Sequence, residues 1–296
     1  MSLSRRSFIA TSTAALSLSA CGKGSVAAKS SIEKVGLQTY TFREMMAEDF
    51  IGTFQMIKDV GYDYVELNER NYSEKTPEQL KAILDDVGLP CPATHIGYDN
   101  LAGNIEGLIK TARILGCQYM TLPYIADDQR SLEDWKRHAA LLNEAGAKMA
   151  DQGVTLAYHN HQFEFDDLGG GTTAMDLLLD SVQPENATFQ LDFFWANLAK
   201  QDIPALLKSH PGRFKLCHVK DMKGSADTAI ENNLSYEEIH QTLMVDVGQG
   251  DTPFEDYFAL NDISGMEYFI AEHDGPTKPY RQSAQNMYDG VKALRF

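Results

Sequence analysis

Histidines and carboxylates gather at a few short stretches of this 296-residue chain. His159-Asn160-His161 is followed by Glu164. Asp192 ends the run Phe189-Gln190-Leu191, and Trp195 comes shortly after. His218 closes Lys215-Leu216-Cys217, with Lys220 and Asp221 just beyond. Glu272-His273-Asp274 follows Phe269-Ile270-Ala271. Earlier stand Gln38, Tyr40, Glu66, Asn68 and His95. If residues 154–161 form a strand, His159 and His161 share a face, because side chains alternate there. Two imidazoles, a carboxylate from the next strand and a third imidazole from the one after can converge on one divalent ion. Each residue alone has a plainer reading: His218 as a core histidine, Asp192 as a helix cap, Glu272-His273-Asp274 as a solvated rim. The recurrence of a polar residue after an apolar start, strand after strand, favours the metal.

Such residues need elements that end at one place. Eight short runs read as strands: Val35–Thr41, Tyr64–Asn68, Cys91–Ile96, Tyr119–Pro123, Val154–His161, Thr188–Asp192, Phe214–Val219 and Tyr268–Glu272. Between them apolar residues recur at helical spacing, as in Ile105-Leu108-Ile109-Ala112-Leu115 and the long run Leu132–Met149. Thr76-Pro77-Glu78-Gln79 opens a helix, and Gly61, Gly88, Gly116 and Gly153 stand where helices should close. Eight βα units predict an α/β fold, a single (β/α)8 TIM barrel over residues 33–296, with chemistry at the carboxyl ends of the strands. No glycine follows the first strand in Thr41-Phe42-Arg43-Glu44, which disfavours dinucleotide binding. Gly169-Gly170-Gly171 reads as a turn before a helix cap at Thr172.

The formal charge is −16, from 26 basic and 42 acidic residues, and no basic cluster lies beyond Arg5-Arg6. Nucleic acid is therefore an unlikely partner by charge. No apolar run reaches bilayer-spanning length. Residues 1–20 read as a signal peptide: Arg5-Arg6 precedes an apolar, small-residue stretch. The arginine pair resembles a twin-arginine export signal, and Leu18-Ser19-Ala20-Cys21 resembles a lipobox. Residues 21–32 read as a flexible tether. An exported, periplasmic protein is expected, touching the membrane only through a lipid on Cys21. Loss of residues 1–20 would take the charge to −18. Cys91, Cys117 and Cys217 cannot all pair, and each sits in an apolar setting, so buried thiols are expected, with a Cys91–Cys117 bridge as the alternative.

The stretches Tyr158-His159-Asn160-His161-Gln162-Phe163-Glu164, Gln190-Leu191-Asp192, His218-Val219-Lys220-Asp221, Asp246-Val247-Gly248-Gln249-Gly250 and Glu272-His273-Asp274, in this order, resemble those of sugar phosphate isomerase/epimerase-like proteins of the xylose isomerase-like barrel superfamily. The resemblance implies one divalent metal held from strands five to eight. Asp192, His218 and Glu272 match three ligand positions. Many relatives carry Glu where this chain has His159, so Glu164 is the expected fourth ligand and His159 the alternate. Manganese leads the expected ions, with cobalt, magnesium or zinc also suited. The implied chemistry is polarisation of a sugar carbonyl and proton abstraction beside it. His159, His161, Glu272 and Lys220 are the expected catalytic groups; His95, Glu66, Asn68 and Trp195 are expected to bind substrate.

A sugar isomerase or epimerase acting on an unphosphorylated sugar or keto-sugar is expected first. The alternative is a lyase or dehydratase that expels a β-substituent from a keto-sugar such as a 3-keto-glycoside. The missing strand-five Glu adds weight to the second. A carbohydrate binder without catalysis fits the full polar set poorly, and an endonuclease would need a basic groove. A homo-oligomer is left open.

Overall fold

The structure, a computed structural model, describes residues 30–72 and 74–296. The expected signal at 1–20, Cys21 and the tether up to residue 29 lie outside the described residues. Eight parallel strands close into a barrel: β1 Gly36–Gln38, β2 Tyr64–Asn68, β3 Ala93–His95, β4 Tyr119–Leu122, β5 Thr155–His159, β6 Ala187–Asp192, β7 Phe214–Val219 and β10 Tyr268–Ala271. Between β7 and β10 lies a two-stranded antiparallel ribbon, β8 Asp221–Met222 with β9 Met244–Val245. All eight expected strands are present; β1, β3 and β5 are three or four residues shorter than their apolar runs, and the other five agree with theirs to within one residue.

The helices form where the apolar spacing and the caps agree. Helix Ile105–Leu115 buries Ile105, Leu108, Ile109, Ala112 and Leu115 against the barrel and ends at left-handed Gly116. Burying each of its larger aliphatics stabilises by about 1.5–3 kcal/mol. Helix Pro77–Val87 starts on a Thr76–Gln79 capping box. Helix Leu132–Ala150 starts on one between Ser131 and Asp134. The triple glycine is a turn, and the helix after it is capped by Thr173 rather than Thr172. Thr173 is the residue whose oxygen reaches the Asp176 amide.

The main core lies between strands and helices. A second cluster fills the base of the barrel: Tyr64, Ala93, Tyr119, Ala157, Leu216 and Ile270. Gly36 is required there. A Cβ would come 2.1 Å from the Tyr64 ring, which crosses β1 so that its hydroxyl donates to the Phe269 carbonyl on the strand beyond, at 2.9 Å. Also at the base, Ser30 and Phe296 pair through their backbones, N–O 2.6 and 3.1 Å. Cys91, Cys117 and Cys217 are free and buried, as expected; the Sγ atoms of Cys91 and Cys117 are 3.5 Å apart. Among the described residues no helix is long and apolar enough to cross a membrane.

Candidate active site

Two residues further along the same strands, the barrel interior turns polar. Glu66 at the end of β2 is fully buried and central. Its Oε2 accepts from Gln38 Nε2 at 2.7 Å and lies 2.6 Å from His218 Nε2; its Oε1 accepts from Gln190 Nε2 at 2.8 Å. Gln190 Oε1 in turn sits 2.8 Å from His95 Nε2 and 3.1 Å from His159 Nδ1. Burial pushes the Glu66 carboxyl up, but His95 and His218 outweigh it and hold it below the usual range. This tier fixes three imidazoles from β3, β5 and β7 in one plane of the barrel.

Above it lie Asp192, His218 and Glu272, whose ligand-type atoms fall within 4.8 Å of one another. Asp192 serves twice. Its Oδ1 caps the next helix by accepting from the Trp195 amide at 3.0 Å. Its Oδ2 faces His218 Nδ1 at 3.8 Å and His159 Nε2 at 3.9 Å. His218 Nδ1 is also 2.6 Å from Glu272 Oε2. Lys220 Nζ, buried, lies 2.7 Å from Glu272 Oε2, 3.0 Å from Asp192 Oδ2 and 3.1 Å from Asp274 Oδ2.

The donor set passes a test for a divalent ion. Asp192 Oδ2 is buried without a well-directed hydrogen bond, met only by the Lys220 ammonium at 3.0 Å. A buried carboxylate oxygen of this kind is stabilised by a cation that binds it directly. Two carboxylates and an imidazole converging from three strands are the ligand types that bind such ions. His159 Nε2 borders the same space.

The charges are set by these neighbours. Burial, followed by the nearby His218 and His161, holds His159 well below its ordinary range, so its ring is neutral near pH 7. Burial opposes charge on Glu272, but Lys220 and His218 overcome it and keep it ionised. Burial likewise disfavours the Lys220 ammonium, yet Asp192, Asp274 and Glu272 hold it charged. Asp192 is pushed up to about 6, by burial. His218 rises to about 10: burial lowers it, but Glu272 and Glu66 prevail.

A cavity of about 810 Å³ opens over this cluster. His95, Asn68, His159, His161, Lys220 and Glu272 line it, as expected for substrate-facing groups. Three expected residues are placed elsewhere. Glu66 lies beneath the floor, all of its polar capacity taken up by Gln38, Gln190 and His218. Trp195 is fully buried, since Tyr236 covers its face: the rings are 5.6 Å apart and 2° from parallel. Glu164 stands outside the ligand group. Its oxygens accept from the Tyr158 hydroxyl at 2.6 Å and the His161 amide at 2.7 Å. Its short helical turn Phe163–Phe165 has already left the barrel mouth. His159, not Glu164, borders the cluster from β5.

Asp221 is a clasp. Its carboxylate accepts from the Met222, Gly248 and Gly250 amides at 2.8, 2.9 and 3.0 Å. A Cβ on Gly250 would stand 2.3 Å from it, so the Gly248-Gln249-Gly250 motif is the loop folded round this carboxylate.

Sequence reading missed Tyr236 and His240. They sit on helix Tyr236–Thr242, between the ribbon strands, and line the cavity. His240 Nε2 is 3.6 Å from Asp274 Oδ2. Nothing local in the sequence ties this helix to Trp195.

Comparison with known proteins places the chain. Over 148 residues it is 29% identical to the inosose dehydratase of Clostridium perfringens, a stretch covering 48% of each protein. The chain thus spans about half the length of the curated relatives it matches. A sugar phosphate isomerase/epimerase from Parabacteroides distasonis shares the fold with TM-score 0.70 at 23% identity, over 91% of this chain and 96% of that one. The 3-keto-D-glucoside 4-epimerase of E. coli does so with TM-score 0.64 at 16% identity, over 88% and 98%. Residues 54–290 match a family that accounts for the barrel and for the strand-end motifs alike: the chain belongs to the xylose isomerase-like TIM barrel family.

Proposed function

We propose that this protein is a divalent-metal-dependent lyase of the dehydratase type, removing a proton beside the carbonyl of an unphosphorylated keto-sugar and expelling a β-substituent. One observation carries the reading: His159 and Glu272 line the cavity together with Lys220, whose Nζ lies 2.7, 3.0 and 3.1 Å from Glu272, Asp192 and Asp274. Asp192, His218 and Glu272 would hold the metal, with His159 as the bordering donor; a bound ion there would polarise the carbonyl and offset the charge left by the departing proton. Manganese is the first choice, with cobalt, magnesium or zinc as alternatives.

Elimination needs one base and stabilisation of negative charge on the departing oxygen. His159, neutral and lining the cavity, can take the proton and hand it to the departing oxygen, so that the substituent leaves as water or an alcohol. Lys220, held charged by three carboxylates, supplies a fixed positive charge rather than a proton. The likeness to inosose dehydratases agrees with elimination. The second reading, an isomerase or epimerase in which a proton returns to carbon instead of a substituent leaving, is supported by the epimerase among the structural neighbours. The acidic chain supports a neutral substrate, and the proposal extends to residues 1–20 as an export signal and Cys21 as a lipid site, which would place that substrate outside the cytoplasm.

The test is incubation with a 3-keto-glucoside and Mn²⁺ in deuterated water. An unsaturated product with loss of the β-substituent is expected. Deuterium at the α-carbon with all substituents retained would establish the second reading, and turnover confined to phosphorylated sugars would overturn both.

A further inference from the structure

Six large apolar side chains are exposed among the described residues, and the two aromatic ones, Tyr124 and Tyr236, both line the cavity over the active site. Apolar aromatic surface left open on a cavity wall has a ligand's apolar face as its natural partner. Tyr236 is 53% exposed although one ring face is spent on Trp195. That stack makes it a fixed platform. Trp195 cannot move, because it is fully buried among His161, Phe194 and His240, with ring centroids 5.0–5.4 Å away. His240 stands edge-on to Tyr236 at 4.4 Å, its buried Nε2 turned to Asp274 Oδ2 at 3.6 Å, and so braces the platform from the side. A held aromatic face of this kind is suited to the flat apolar face of a ring.

The platform is not part of the barrel. It is delivered by the segment between β8 and β9, anchored by the ribbon and by Asp221. Lys220 and Asp274 separate it from Asp192 and His218.

Resting on the functional reading above, we infer that Tyr236 and His240 form a second subsite, which takes a ring attached to the reacting sugar: the substrate is a glycoside, and its aglycone packs on Tyr236. The ring can be aromatic or a second pyranose, since both present a flat apolar face to a tyrosine.

The experiment compares wild type, Tyr236→Ala and Tyr236→Phe on methyl, phenyl and glucosyl 3-keto-glucosides. Wild type should favour the ringed substrates in kcat/KM. Tyr236→Ala should lower kcat/KM for them by about fivefold to tenfold, leave the methyl glycoside within twofold, and Tyr236→Phe should behave as wild type. Loss with phenyl alone or glucosyl alone identifies the ring type. An equal fall on all three substrates, or no fall on any, overturns the subsite while leaving the lyase reading intact. Calorimetry with the unoxidised phenyl and methyl glucosides decides the matter without turnover: tighter phenyl binding that Tyr236→Ala abolishes is expected. Binding of neither glucoside together with no turnover of any keto-glucoside would overturn the functional reading itself.

Discussion

The two ends of the barrel are built from the same strands two residues apart, and they solve opposite problems. At the base the inward positions are Tyr64, Ala93, Tyr119, Ala157, Leu216 and Ile270. At the mouth the next inward positions on those strands are Glu66, His95, Thr121, His159, His218 and Glu272. The base keeps its few polar atoms satisfied, as where the Tyr64 hydroxyl meets Phe269. The mouth crowds Asp192, His218, Lys220 and Glu272 into buried contacts of 2.6–3.8 Å and leaves Asp192 Oδ2 without a well-directed hydrogen bond. One end is packed for stability; the other holds groups that only a ligand completes. A strand's two-residue period lets one sequence do both within about 7 Å of rise.

The comparison is most severely tested at Glu272. Glu272→Gln should reduce keto-sugar turnover by about 10²–10⁴-fold, the range for losing an acid–base group. Turnover of folded variant protein close to wild type would remove Glu272 from the chemistry. At the base, Leu216→Ala should do the reverse. It should cost about 2–5 kcal/mol of stability through the cavity it leaves, read by urea denaturation, with kcat/KM unchanged. A large loss of turnover in the folded variant would show that the two ends are not separable.

The smallest of the three effects concerns Glu164, a carboxylate at the mouth's outer wall. Burial pushes it up to about 7 from an ordinary 4.5. Its folded form therefore binds more protons than the unfolded chain between those values, so its contribution falls as pH rises. The cost is absent below pH 4.5 and reaches roughly 3 kcal/mol above pH 7. Glu164→Gln, which cannot ionise, should gain in melting temperature on wild type between pH 5 and pH 8. Parallel pH profiles would show that Glu164 carries no such cost.

Much of this was legible in the sequence. The eight strands announced themselves by apolar runs, and Tyr64–Asn68 and Phe214–Val219 match their expected bounds. Asp192, His218 and Glu272 were readable because each ends such a run. What failed was non-local. Trp195 looked like a sugar platform until Tyr236, forty-one positions away, covered it. Glu164 has the right chemistry, but its turn carries it to Tyr158 instead of the cluster. Glu66 sits at a strand end, yet it is one tier too deep to meet a substrate. The ribbon and the helix at Tyr236–Thr242 gave no periodic signal, since that helix buries no residue fully.

The backbone pairing of Ser30 with Phe296 gives the molecule a direction. The entrance of the barrel is at the opposite pole from that pairing. Whatever holds this protein by the residues before Ser30 therefore holds it by its base. Held there, the molecule has its point of attachment and its entrance at opposite ends, so the attachment itself does not lie across the path of an arriving substrate.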